Sequence, residues 1–179
     1  MDMSQSHHNC AKYLKRAEYY QAEGLAKHAL AELDLAVMAA PDTVEPRICR
    51  AECLRRQGRF AEAEADLEVA VRSAPNNPEP CVLMAQTLAA GRDYDNALRY
   101  LDRAELIDSA WHRIHLIRGH VLLAFYRPDA APASYRQAAR LAPDNVAALP
   151  SLASPPLARG APRPAPAPAQ HARPAPPHS

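Results

Sequence analysis

A 34-residue period governs this chain. Pro41, Pro75 and Pro143 are spaced by 34 and by twice 34 residues, and the missing member of the series falls at Ser109. Each site closes a similar phrase: MAAPD, RSAPN, LIDSA and RLAPD. Counting back by fixed offsets gives matched columns. Five residues earlier stand Ala36, Ala70, Ala104 and Ala138; eight earlier, Leu33, Leu67, Leu101 and Tyr135; twelve earlier, Ala29, Ala63, Ala97 and Ala131. Further back come Ala17, Ala51, Ala85 and Gly119, then Tyr20, Leu54, Leu88 and Leu122. Columns matched in size at one period require a fold in which each copy buries its face against the next.

The columns also fix the element type. Apolar residues recur at steps of three and four, the spacing of one helix face. Ala or Gly at fixed positions lets helix backbones approach closely, and a large neighbour such as Leu54 or Leu67 fills the adjoining groove. Composition agrees: there are 38 Ala among 179 residues, while aromatics are 6%, too few for a single bulky core. Gly24, Gly58 and Gly91 interrupt the first three units where a helix must stop and reverse. Pro46, Pro78 and Pro80 fall in the next helices' first turns, where a missing N–H costs little. The reading is eight helices. Helix A spans about 10–23, 44–57, 78–90 and 112–125, and helix B about 27–40, 61–74, 95–108 and 129–142. The units are 10–43, 44–77, 78–111 and 112–145, preceded by a flexible segment 1–9 and followed by a tail over 146–179.

Period and small-residue columns together resemble the tetratricopeptide repeat family of bacterial type, over about Cys10 to Asn145. The resemblance implies an all-α solenoid, a right-handed superhelix of about four helix–turn–helix units. It departs at the family's large positions. Where Trp or another large apolar residue is common, this chain has Tyr13, Arg47, Cys81 and His115; where Leu is usual, it has Arg16, Arg50, Met84 and Arg118.

In that family the A helices line a concave face that binds a peptide or protein segment. Carried over by register, the groove residues are Leu14 and Glu18 in unit one, and Ile48, Glu52 and Arg55 in unit two. Unit three supplies Val82, Leu83 and Gln86; unit four supplies Arg113, Leu116, Ile117, His120 and Leu123. Glu45, Cys49 and Glu79 face the same way. Val82, Leu83, Leu116, Ile117 and Leu123 are expected to form an apolar stripe, open to a partner or partly filled by neighbouring helices and the chain's own tail. Some relatives grip the terminal carboxylate of heat-shock proteins with Lys, Asn and Arg. The matching positions here are Leu14, Glu18, Cys49, Glu79 and Leu83, or Ile48, Glu52, Leu83, Arg113 and Ile117. Only Arg113 is basic, and Glu18 or Glu52 repels a carboxylate, so that clamp is excluded.

Other residue patterns carry no catalytic chemistry. There is no phosphate loop, no HExxH and no supported Ser–His–Asp set, so no catalytic residue, cofactor or metal site is expected. Cys49 and Cys53, one turn apart, read as small apolar side chains, because no further ligand pair stands nearby. Arg55, Arg56 and Arg59 form a basic cluster that either pairs with Glu62 and Glu64 or meets an acidic segment. His112, His115 and His120 share a helix without sharing one side of it. The net charge of +1 argues against nucleic acid. No apolar run of about 18 residues suggests a membrane span, and the start MDMSQSHHNC lacks the pattern of a secretory signal. The expected compartment is the cytoplasm.

The last 30 residues hold ten of the 18 Pro, and no Asp or Glu follows Asp144. Arg159, Arg163 and Arg173 give this tail +3 and leave the body at about −2. Such a composition favours extended polyproline-like conformers over a packed core. It fits a linker or ligand segment, and it equally fits a shifted reading frame in a GC-rich gene. The last helix is expected to expose some of Tyr135, Ala138 and Leu141, inviting self-association. The expected function is a non-enzymatic protein–protein interaction scaffold. Two alternatives stand beside it: a bacterial secretion chaperone shielding an apolar segment, and a regulatory repeat portion of a larger enzyme such as a glycosyltransferase or sulfotransferase.

Overall fold

Helix formers broken at a regular interval by Gly and Pro yield a regular series of helices. The computed structural model describes residues 3–143, so the tail and the helix expected to begin at Val146 lie outside the described residues. The order is α1 (Met3–Ala22), α2 (Ala26–Ala39), α3 (Glu45–Arg56), α4 (Phe60–Ser73), α5 (Glu79–Ala90), α6 (Tyr94–Ile107), α7 (His112–Ala124) and α8 (Ala131–Leu141), with no strand among the described residues. Only α1 departs from its expected bounds by more than about two residues. Residues 3–9, expected to precede it as a flexible segment, continue the helix instead. They hold no Pro or Gly, and Gln5 Nε2 donates to Asn9 Oδ1 one turn on.

Each odd-numbered helix packs on the even-numbered helix that follows it and on the one before it. The odd helices also touch one another, α3 against α5 and α5 against α7, whereas among the described residues no even helix packs on another even helix. The A helices therefore take the inner, shorter path of the curve and the B helices the outer one. The repeat columns explain this packing. Every member of the Ala29, Leu33, Ala36 and Ala17 columns is buried. In the fourth pair the sizes trade. Gly119 replaces the column's Ala, and Tyr135 replaces its Leu; a Cβ on Gly119 would lie 2.5 Å from the Tyr135 ring. Of the three residues expected to be open on the last helix, Tyr135 and Ala138 are buried and Leu141 alone is exposed.

The A-to-B turns share one backbone requirement. Gly24 and Gly58 have φ of 71° and 75°. The equivalent positions 34 and 68 residues beyond Gly58 are Arg92 (φ 68°) and Tyr126 (φ 57°), so the expected role of Gly91 belongs to its neighbour. Gly91 itself has φ −76°.

The Arg residues standing where Leu is usual are not gaps in the packing. Arg16 pairs with Glu32 at 2.8 Å. Arg50 donates twice to Asp66 on α4, at 2.7 and 2.6 Å, and once to Asp34 on α2, at 2.8 Å. Arg118 pairs with Asp102 and Glu105 on α6. Each guanidinium thus ties an A helix to a neighbouring B helix, and Arg50 ties α3 to both.

Candidate functional site

The inner face is built by α1, α3, α5 and α7, and the turn of each helix decides which side chains stay open. Positions three or four residues apart share a face, so each A helix turns one row of side chains to the B helices and another to the curve's interior. Glu18 is exposed; Leu14, Glu52, Arg55, Gln86, Arg113 and Leu116 are half-buried; His120 and Leu123 are exposed. Of the five residues expected to form an apolar stripe there, Val82, Leu83 and Ile117 are buried, Leu116 is half-buried and Leu123 is exposed. Ile48 and Leu83 belong to the core between α3, α4 and α5, and Val82 and Ile117 to the core between α5, α6 and α7. All four are at most 8% exposed. The reason is curvature: adjacent A helices close on each other, so branched side chains between them meet the next helix rather than solvent. Leu14 leans on the α1–α2 core, and Leu116 on the core around Tyr135.

Apart from Leu123, what stays exposed among these residues is polar, and carboxylates gather around Cys49. Cys49, half-buried on α3, lies in the field of Glu45 and Glu52 from its own helix, Glu18 from α1 and Glu79 from α5. Burial first, then those carboxylates, push its thiol up to about 11. Glu45 and Glu79 are 34 residues apart, as are Glu18 and Glu52, so two carboxylate columns run along the face at the repeat period. Glu52 accepts from Arg56 at 2.6 Å, and Glu79 lies 3.8 Å from Arg113. Among the described residues Glu18 and Glu45 enter no ion pair. Arg55 Nε and Gln86 Oε1 are buried polar atoms without a hydrogen-bond partner. The paired column was legible as a spacing; its convergence on Cys49 was not.

The remaining candidates are structural. Arg59 pairs with Glu62 at 2.6 Å, and Arg56 with Glu52, so the basic cluster is largely spent within the turn. His115 is buried with Nε2 3.3 Å from the Ser109 carbonyl. The His120 ring lies 5.6 Å from that of Tyr135, and desolvation lowers its pKa. Trp111 packs on the α5–α7 core with the Arg113 guanidinium 5.7 Å above its ring. All four cysteines are free. Among the described residues no three His, Cys, Asp or Glu side chains converge to hold a metal ion, and no helix is long and apolar enough to cross a membrane.

Comparison with known proteins fits this arrangement. Residues 54–119 match the model of the Tetratricopeptide repeat. No curated protein matches the sequence. Among solved structures, a thermophilic TPR protein of Thermus thermophilus is similar at a TM-score of 0.71 and 21% identity, covering 80% of this chain and 79% of that one. The Thermobaculum terrenum O-GlcNAc transferase is similar at 0.67 and 20% identity, covering 75% of this chain and 26% of that one. The first TPR of Spaghetti, bound to an HSP90 peptide, is similar at 0.61 and 16% identity, covering 66% of this chain and 94% of that one.

Proposed function

We propose that this chain, which belongs to the tetratricopeptide repeat family, is a non-enzymatic scaffold that holds a protein or peptide segment on its inner face in the cytoplasm. One observation carries the reading: the small-residue columns are buried, while among the described residues the inner face keeps the exposed carboxylates of Glu18 and Glu45 outside any ion pair and the buried Arg55 Nε and Gln86 Oε1 atoms without a hydrogen-bond partner. A face with unspent hydrogen-bonding capacity is better matched by a polar segment than by water alone. The residues proposed to contact it are Glu18, Glu52, Arg55, Gln86, Arg113, Leu116, His120 and Leu123. Shielding an apolar export segment would call on the whole stripe, of which Val82, Leu83 and Ile117 are buried and only Leu116 and Leu123 are accessible. The acidic peptide SRMEEVD held by the Spaghetti repeat would meet like charge at Glu18, Glu45, Glu52 and Glu79 here.

A second reading has one observation behind it. The likeness to an O-GlcNAc transferase, of which this chain matches about a quarter, favours a regulatory repeat portion of a larger glycosyltransferase. The test for the scaffold compares capture by the wild type, by an inner-face variant (Glu18→Arg/Gln86→Arg) and by an outer-face variant (Glu62→Arg/Arg72→Glu). Circular dichroism confirms the helices of each. Partners lost only with the inner-face variant support the reading. Equal yields from all three overturn it.

A further inference from the structure

We propose that a cavity on the outer helix α6, apart from the inner face, binds a phosphate monoester. The cavity has a volume of about 300 Å³ and is lined by Asn96, Arg99, Tyr100 and Arg103. These residues follow one another at steps of three, one and three, so a single face of α6 supplies all four. Arg99 and Arg103 are exposed, and among the described residues neither enters an ion pair. Asp95, one turn before Arg99, makes no ion pair with it, and the acids that follow, Asp102 and Glu105, are taken up by Arg118.

The repeat provides an internal control for what packing alone requires. Counting by 34 from Arg99 gives Ala31, Ala65 and Ala133, all exposed. The place of Arg103 is held elsewhere by Leu35, Val69 and Gln137, and that of Asn96 by His28, Glu62 and Ala130. Tyr100 stands where the first two units bury the acids Glu32 and Asp66. Cys81 and Met84, in place of Arg47 and Arg50, account for the missing acid. They do not call for Arg99 or Arg103. The third unit thus sets two positive charges on a face that lacks the carboxylate of its neighbours.

The chemistry of the lining selects the ligand. Side chains one turn apart on a helix start about 6 Å from each other, so both guanidinium forks can close on one tetrahedral oxyanion. Their two charges match a phosphate monoester, which carries about −1.5 to −2 near neutral pH. Tyr100 anchors the lining, since its ring packs against both neighbouring cores. Asn96 gives one N–H to Asp93 at 2.7 Å and keeps its Oδ1 and the other N–H for a ligand. The site therefore has a cationic end and a neutral amide end. Its volume equals roughly ten waters at about 30 Å³ each, more than a bare oxyanion fills, which favours an ester with a small polar organic group.

The experiment titrates the full chain, isotopically labelled, and follows its amides by NMR. The probes are inorganic phosphate, free O-phosphoserine, and a short blocked alanine peptide holding one phosphoserine. Saturable shifts along α6 are expected with the esters, at several-fold tighter affinity than with inorganic phosphate. The tighter ester names the source, a free small molecule or a phosphorylated side chain of a partner. Arg99→Ala/Arg103→Gln installs residues that other units carry at these places, and circular dichroism checks its helices. It is expected to weaken ester binding at least about tenfold. Should it fail to fold, Arg99→Ala alone carries the test with a several-fold loss. The proposal is overturned by the absence of saturable shifts on α6 up to about 10 mM ester. It is also overturned by equal affinity for all three probes, which is counterion pairing only, or by an affinity that the variants leave unchanged. Capture on the inner face is a separate readout, so either proposal can fail while the other stands.

Discussion

Helices α3 and α5 occupy equivalent places in successive repeats and solve the same packing problem in opposite ways. Where α3 has Arg47 and Arg50, α5 has Cys81 and Met84; where α4 offers Asp66, α6 offers Tyr100. In the α3 layer the buried Asp66 is held by Arg50 at 2.6 Å and Arg47 at 3.5 Å. In the α5 layer Cys81 and Met84 are buried, and Tyr100 packs against the same cores. The backbone is indifferent to which solution is used, provided the space is filled and no polar group is stranded. What differs is the penalty for half a change. An apolar contact degrades gradually, whereas a buried ion cluster fails when one member is lost.

The largest effect is expected from Asp66→Ala. It leaves two arginines facing a buried site with Asp34 alone to meet them, and the expected loss is about 3 kcal/mol, since removing one partner of a buried pair costs that order. Transplanting the α5 solution whole, Arg47→Cys and Arg50→Met with Asp66→Tyr, should return stability to within about 1 kcal/mol of the wild type. Chemical denaturation followed by circular dichroism reads both. A triple variant as weak as Asp66→Ala would show that the two layers are not interchangeable.

The fourth helix pair extends the test to size. Gly119→Ala drives a methyl into the buried ring of Tyr135, 2.5 Å away. Overpacking of this kind costs about 1–3 kcal/mol, partly offset by about 1 kcal/mol of better helix propensity. Adding Tyr135→Leu restores the pairing that Ala85 and Leu101 use in the third pair. The double variant should then be more stable than Gly119→Ala alone by about 1–2 kcal/mol. No rescue would mean that the columns are not coupled across the pair.

The thiols separate the layers by chemistry. Cys81 is buried, and burial raises its pKa while Arg103 lowers it. Cys49 is half-buried among carboxylates, its thiol pushed from 9.0 up to about 11. A raised thiol pKa in the folded state means the unfolded chain ionises first. Cys49 therefore favours folding fully below about pH 9, and that contribution is lost as pH rises toward about 11. Native alkylation of Cys49 should climb about tenfold per pH unit through about pH 8–10, while Cys81 stays unreactive until the chain unfolds. Glu18→Gln should move the Cys49 profile to lower pH. An unchanged profile would remove Glu18 as a cause.

Much of this architecture is legible in the sequence, because a repeat writes its core several times. Ala29, Leu33 and Ala36 recur in nearly every unit, so chance substitutions cannot hide the columns. The inner face is less legible. Val82 and Ile117 look like an open stripe in a helical register, and only the closeness of successive A helices buries them. Arg50 reads as a departure from a family pattern until Asp34 and Asp66, each 16 residues away, are brought against it. A charge search at that offset would have found the pair. Half of the field at Cys49 is local, since Glu45 and Glu52 stand four before and three after it on α3; only the contributions of Glu18 on α1 and Glu79 on α5 had no local signal.

The smallest effect concerns the turns, and it also distinguishes early layers from late ones. The first two A-to-B turns place Gly at the left-handed position, and the last two place Arg92 and Tyr126 there. A side chain in that conformation carries a strain of about 1 kcal/mol that glycine avoids. Tyr126 is 75% exposed, so removing its ring gives up little buried surface. Tyr126→Gly should therefore stabilise the array by a few tenths to about 1 kcal/mol, after the extra freedom glycine brings to the unfolded chain. Arg92→Gly should do the same. Gly58→Ala, the reverse change in an early turn, should cost about as much, although nothing lies within 4 Å of the added methyl. Because space is free at that site, any loss on Gly58→Ala isolates the backbone term. If instead Tyr126→Gly destabilises, the ring holds the late turn in place, and the two halves of the array close their helix pairs by different means.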